Sequence, residues 1–252
     1  MNHLFEDWDN VAGRFKSARK IGLFLDFDGT LVKFRSRPED VWLDEPARKT
    51  LGSLAGNPRF NVTVISGRRR DDVASRARVP EVNYLGLHGS EGRDGATALP
   101  ESRHALSVVR GLLADILNMC PGIWVEDKRD ILTIHYRDTV APVQAKAEQL
   151  VRCVVGRFSK WVRISSGKKV WELIPHELED KGAAVQHELR SQGWLTLPVY
   201  IGDDAGDEPA FEALYRGITI RVGPDRKSHA RYRLANVQQV RLFLARLNRE
   251  VA

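Results

Sequence analysis

Apolar residues along the chain fall into two kinds of pattern. Short, nearly continuous runs occur at Ile21 to Leu25, Phe60 to Ile65, Tyr84 to Leu87 and Leu197 to Ile201, each closed by glycine or small polar residues. Runs of that length predict strands buried on both faces, as in a parallel sheet covered by helices. Elsewhere the period lengthens to that of a helix. Leu4, Phe5, Trp8, Val11 and Phe15 share one face ahead of the first strand. Pro46 to Ala55 reads as a helix with proline in its first turn, Asp71-Asp72 starts another, and a further helix runs from Asp180 to about Gln192. Lys33 to Pro46 is polar and irregular, and predicts a loop.

Between Pro100 and Pro175 the pattern changes. A helical stretch from Ala105 to Met119 leads to strands at Ile123 to Glu126 and Ile131 to Tyr136; a second helix, Pro142 to Phe158, leads to Trp161 to Ser165 and Val170 to Ile174. Alternation in Leu132-Thr133-Ile134-His135-Tyr136 predicts an antiparallel sheet with one packed and one open face. The expected fold is α/β: a Rossmann-like core of residues 1–99 and 176–252, its parallel sheet flanked by helices. Into it is inserted an α+β domain, residues 100–175, made of two αββ units.

Composition leaves this picture intact, since 252 residues, 42% hydrophobic and 29% charged, are ordinary for a globular chain. The net charge of +6 comes from scattered arginines with a single run, Arg68-Arg69-Arg70, and no nucleic-acid motif is present. A small anionic substrate is expected, with no nucleic-acid or membrane partner. No apolar run reaches membrane-spanning length and no signal-peptide order is seen, so a cytoplasmic, monomeric protein is expected. Cys120 and Cys153 lack metal-site spacing and read as reduced core thiols, with a single bridge left open as the alternative.

Chemistry gathers at the strand ends. The first strand closes in Asp26-Phe27-Asp28-Gly29-Thr30, and ligands of open α/β sheets bind at the carboxyl ends of strands. Two carboxylates so close repel, and a divalent cation or another positive charge between them relieves the repulsion; Mg²⁺ suits one or two carboxylates with phosphate oxygens, and an ionised Asp is a competent nucleophile. Gly29 allows a close turn, and Thr30 offers a hydroxyl and an N–H to an anion. Ser66-Gly67 after the second strand offers the same. Lys181 supplies a point charge, and the acids of Gly202-Asp203-Asp204-Ala205-Gly206-Asp207-Glu208 form a metal site without EF-hand spacing. Each signal alone is also ordinary turn chemistry.

In that order, Asp26/Asp28, Ser66, Lys181 and Gly202-Asp203 with Asp207 resemble the four motifs of haloacid dehalogenase-like (HAD) phosphohydrolases, Asp26 to Thr30 being D-x-D-G-T. An insert between the second and third motifs implies the α+β cap found in sugar phosphatases. Finer segments resemble trehalose-6-phosphate phosphatases: Gly86-Leu87-His88-Gly89-Ser90-Glu91, Val125-Glu126-Asp127-Lys128, His135-Tyr136-Arg137, Gly167-Lys168-Lys169-Val170-Trp171-Glu172-Leu173, Asp180-Lys181-Gly182 and the Gly202 to Glu208 loop. Gly206 departs from the threonine usual there.

The resemblance implies a Mg²⁺-dependent phosphatase that hydrolyses trehalose 6-phosphate through an aspartyl-phosphate. Asp26 would be the nucleophile and Asp28 the acid/base. Gly29, Thr30, Ser66, Gly67 and Lys181 would hold the phosphate. The metal would fall to Asp26, the Asp28 carbonyl and Asp203, with Asp207 and Asp204 orienting its waters. Sugar contacts would come from Glu126, Lys128 and Glu172, with His88, Glu91 and Arg137 as further substrate-binding candidates, and a trehalose-phosphate synthase would be a functional companion. The alternatives are a phosphatase for sucrose phosphate or for mannosyl- or glucosyl-3-phosphoglycerate, or a non-catalytic sugar-phosphate binding module.

Overall fold

The computed structural model describes every residue except 36, 93–97, 168, 194 and 252, together with the side chain of residue 38. Of the expected segments, the Lys33 to Pro46 loop and Lys168 fall partly or wholly outside the described residues. Two compact units are formed, Met1–Asp94 with Asp180–Ala252, and Gly95–Glu179.

The larger unit is built on β1 (Asn2–His3), β2 (Lys20–Leu25), β3 (Phe60–Ile65) and β4 (Asn83–Leu85). Across the insertion they are joined by strands at Thr196–Gly202, Ile218–Val222 and Tyr232–Leu234; β5 to β8 belong to the smaller unit, so these are β9, β10 and β11. They make one parallel sheet ordered β1-β11-β10-β9-β2-β3-β4. Alternate residues of β2 and β9 serve opposite layers, which is why these strands read as unbroken apolar runs. Leu23, Leu25, Val199 and Ile201 pack into a core with Val11, Phe15, Leu51, Phe243 and Leu247. Phe24 and Tyr200 pack on the other face with Val185 and Phe211. Burying side chains of this size contributes about 1.5–3 kcal/mol each.

The first layer comprises α1 (Trp8–Ser17), α2 (Glu45–Gly56), α3 (Arg70–Ala77) and the chain's last helix, α8 (Val237–Glu250). The second comprises α6 (Lys181–Gln192) and α7 (Glu208–Ala213). Nothing beyond Glu208 is assigned from the sequence above, yet α8 has a clear helical period, burying Val237, Val240, Phe243, Leu244 and Leu247. Register aligns the strand ends: Leu25 pairs with Val64 and with Ile201, so the residues that follow all three strands emerge along one sheet edge.

The smaller unit repeats its order twice: α4 (Pro100–Leu117), β5 (Trp124–Asp127) and β6 (Leu132–His135), then α5 (Ala141–Gly156), β7 (Val162–Gly167) and β8 (Val170–Pro175). Its antiparallel sheet runs β5-β6-β8-β7. Leu132, Ile134, Trp171 and Leu173 pack with Leu106, Val109, Leu113, Val151 and Val155 of the two helices. The cysteines are unbridged; Cys120 is buried as expected, but Cys153 is exposed, because it lies off the apolar stripe of α5 formed by Ala147, Val151, Val154 and Val155. Among the described residues no helix is long and apolar enough to cross a membrane.

Candidate functional site

Asp26 lies one residue past β2, its N–H still donating to Ile201 O across the sheet at 2.9 Å. The residue is 5% exposed. Its Oδ1 accepts from Lys181 Nζ at 2.7 Å, whereas Oδ2 is buried with no hydrogen-bond partner among the described residues, as is Thr30 Oγ1. Gly29 turns with φ +92°, and a Cβ there would sit 2.4 Å from Asp203 Oδ2, so glycine is what lets this turn reach the Asp203 carboxylate. Likewise a Cβ on Gly202 would lie 2.2 Å from Asp207 Cγ.

Asp207 is fully buried and accepts four hydrogen bonds. Oδ1 takes Lys181 Nζ and Tyr200 Oη, each at 2.7 Å, and Oδ2 takes the N–H of Asp203 at 2.8 Å and of Asp204 at 3.0 Å. This carboxylate therefore ties the 203–207 loop to Lys181. Tyr200 is absent from the sequence-derived set; its signal was a phenol inside an apolar strand, which needs a partner once buried. Burial pushes the Tyr200 phenol up and the Asp207 charge adds to that.

Burial raises the Asp26 carboxyl well above its usual range; Lys181 opposes this, while Asp207, Asp203 and Asp204 reinforce it. Burial would lower Lys181, but attraction to Asp207 and Asp26 outweighs it and holds the ammonium charged. Burial also favours neutral Asp207, yet Lys181 and the four hydrogen bonds prevail and lower it. Four aspartates thus share one lysine, an excess of negative charge that a cation would relieve. Asp26, Asp203 and Asp207 each offer a carboxylate oxygen within 4.8 Å of the others. The hard carboxylate oxygens of Asp26, Asp203 and Asp207 fit Mg²⁺. A Cβ at position 206 would lie 3.1 Å from Asp204 Oδ1, so a side chain there requires that carboxylate to give by a few tenths of an ångström.

The second strand end brings Ser66, 1% exposed, whose Oγ accepts from Arg68 N at 3.1 Å. Arg68 then reaches back to Asp28, Nε to Oδ2 at 2.6 Å and Nη2 to Oδ1 at 2.9 Å, and its Nη1 donates to Asp72 at 3.1 Å. Burial opposes the Arg68 charge, but its bonds to Asp28 and Asp72 raise its pKa. His88 packs its ring against Gly67 and holds a left-handed backbone, φ 62°, as its N–H donates to Ser66 O at 2.9 Å. Glu91, expected among substrate-binding residues, lies against the start of α3: Oε2 accepts Arg70 N at 2.6 Å and Oε1 accepts Arg69 Nη2 at 3.2 Å.

Glu126, Lys128 and Glu172 are brought together in the smaller unit. Lys128 Nζ lies 3.3 Å from Glu172 Oε1 and 4.0 Å from Glu126 Oε2, and Thr133 Oγ1 donates to Glu172 at 3.3 Å. Arg137 is exposed in the turn after β6.

The trehalose-phosphatase family model matches residues 24–238. The chain is 35% identical to a Mycobacterium tuberculosis protein described as an uncharacterized glycosyl hydrolase, over 93% of this chain but only 19% of that one. It is 31% identical to probable trehalose-phosphate phosphatase C of Arabidopsis thaliana, over 93% of this chain and 78% of that one. The C-terminal domain of trehalose-6-phosphate phosphatase from C. albicans shares the fold, with a TM-score of 0.86 at 20% identity, covering 95% of this chain and 96% of that one.

Proposed function

Because the chain belongs to the trehalose-phosphatase family, with its HAD-like fold, we propose that it hydrolyses trehalose 6-phosphate to trehalose and phosphate. What supports this reading above all is Asp26 Oδ2: an oxygen buried at a strand's carboxyl end, without a hydrogen bond, on a carboxylate whose other oxygen is fixed by Lys181. A buried acceptor left unpaired is costly unless a ligand or reacting group meets it.

Asp26 Oδ2 attacks phosphorus in line, and the bond from phosphorus to the sugar oxygen breaks as Asp28 gives that oxygen its proton. Asp28 then takes a proton from the water that attacks the aspartyl-phosphate, releasing phosphate and restoring Asp26. Arg68 fixes the plane of the Asp28 carboxylate for both transfers. Ser66, Thr30 and Lys181 contact the phosphoryl oxygens, and Asp207 keeps Lys181 and the Asp203 backbone in place. Mg²⁺ would be held by Asp26, Asp203 and the Asp28 carbonyl, and when bound supplies charge neutralisation for the phosphoryl group. Glu126, Lys128 and Glu172 meet the sugar hydroxyls, and a trehalose-phosphate synthase would make the substrate.

Phosphate release from trehalose 6-phosphate, sucrose phosphate and glycosyl-3-phosphoglycerates, each with Mg²⁺ and with EDTA, tests this reading. Preference for trehalose 6-phosphate, abolished by EDTA and restored by Mg²⁺, is expected; preference for another ester would transfer the chemistry to that substrate.

A further inference from the structure

Among the described residues, the smaller unit holds one indole that its core does not use. Trp161 and Trp171 pack with the helices, whereas Trp124 is 46% exposed. It stands opposite His135 in the β5–β6 ladder, and the two rings stack flat, centroids 3.8 Å apart at 5°. The imidazole therefore covers one indole face, and the exposure belongs to the other face and the edges. His135 is fixed in turn, its Nε2 lying 2.9 Å from Glu126 Oε2. The indole thus leans on a ring that a carboxylate keeps from rotating.

Strand register shows what shares this face. Glu126 pairs with Thr133 and Thr133 with Glu172, each two residues along its strand from the Trp124–His135 row. The opposite face, with Val125, Ile134, Trp171 and Leu173, is packed under α4 and α5. This face accordingly sets a rigid, partly exposed apolar plane beside carboxylates, a hydroxyl and the Lys128 ammonium, Thr133, Glu172 and Lys128 being themselves buried. Cross-strand pairing alone would account for an aromatic stack. It would not call for hydrogen-bonding groups of both signs beside it. That combination suits a ligand with an apolar face and a polar rim. A gluco-configured pyranose is such a ligand: its hydroxyls at C2, C3 and C4 are equatorial, and an α-linked ring, whose anomeric oxygen is axial, still keeps one face on which only hydrogens are axial.

Given the reading above that this unit takes the sugar, we propose that Trp124, backed by His135, is the wall against which one pyranose ring stacks, and hence a specificity-determining residue. An epimer with an axial hydroxyl turns a polar group toward that wall and binds less well.

The test compares wild type, Trp124→Ala and Trp124→Phe on trehalose 6-phosphate and on glycerol phosphate, an ester with no ring. Trp124→Ala should raise KM for trehalose 6-phosphate about five- to tenfold, the value of one aromatic contact, with kcat and all glycerol phosphate constants unchanged. Trp124→Phe should recover most of the loss. An unchanged KM overturns the proposal, as does an equal loss on glycerol phosphate, which would mark a role in folding. Should wild type show no preference for trehalose 6-phosphate, the substrate reading fails separately. The wall is then judged by the fluorescence difference between wild type and Trp124→Phe on titration with free glucose and trehalose: a saturable change supports it, and none overturns it.

Discussion

Arg68 grips Asp28 with two parallel donors, at 2.6 and 2.9 Å, across 40 residues of sequence. This fork-to-carboxylate geometry fixes both position and plane, which a lysine's single point charge cannot do. Asp72 holds Arg68 from behind and is itself held by Arg76 at 2.7 Å, so α3 acts as a rigid mount for Asp28.

Arg68→Lys should therefore lower kcat/KM for trehalose 6-phosphate about ten- to a hundredfold, from the loss of a charged, bidentate hydrogen bond. p-Nitrophenyl phosphate, whose leaving group departs without a proton, should lose much less. Equal losses on the two esters would show that Arg68 serves phosphate binding and not Asp28.

That pair also marks the limit of what the sequence discloses. Asp26 to Thr30 and Gly202 to Glu208 stand out because acids break apolar strands at their carboxyl ends. Arg68, in a run of three arginines, reads as solvated charge; only the register of β2 and β3 brings it to Asp28. Glu91 is marked by the resemblance of its segment alone, and its bond to Arg70 N at the start of α3 shows only in the structure. Helix α4 begins at Pro100, ahead of its first apolar residue at Ala105, because Glu177 binds its start from the far side of the unit. The strand Ile218–Val222 and α8 carried ordinary period signals; what they lacked was chemistry to draw attention to them.

Lys181 is buried between Asp26 and Asp207, 2.7 Å from each. Lys181→Met should remove turnover and lower unfolding free energy by about 3–5 kcal/mol, since it strands two buried carboxylates. Urea denaturation measures this. A loss below about 1 kcal/mol would mean that the carboxylates relax into water or protonate at little cost.

Glu177 accepts from Leu99 N at 2.8 Å and Ser102 Oγ at 3.2 Å, joining the start of α4 to the segment after β8. Partial burial favours its neutral form, but these bonds and its own N–H prevail and lower its pKa below 4.5. A depressed carboxyl contributes stability above its unfolded pKa and loses it as pH falls through the folded value. Because Glu177 is exposed, solvent screens most of this contribution, so Glu177→Gln should destabilise by only about 0.5 kcal/mol or less near neutrality, with the difference vanishing in acid. Thermal unfolding across pH checks this; a gap that widens in acid would contradict it.

Replacing Glu126, Lys128 or Glu172 by alanine should lower kcat/KM for trehalose 6-phosphate about ten- to a thousandfold, on the scale of one to three charged hydrogen bonds. p-Nitrophenyl phosphate hydrolysis should change little. Because Lys128 and Glu172 are buried partners, circular dichroism must accompany the kinetics. Parallel losses on both esters would assign the cluster to the fold of its own unit.

Phosphate release from trehalose 6-phosphate by folded Asp26→Asn, run beside wild type in Mg²⁺, bears most directly on Asp26 as nucleophile. The substitution keeps the shape at the end of β2 and a partner for Lys181 while removing the attacking carboxylate. Turnover by wild type and a loss of at least about a thousandfold in the variant are predicted; turnover in the variant near the wild-type rate would contradict the mechanism proposed for this site.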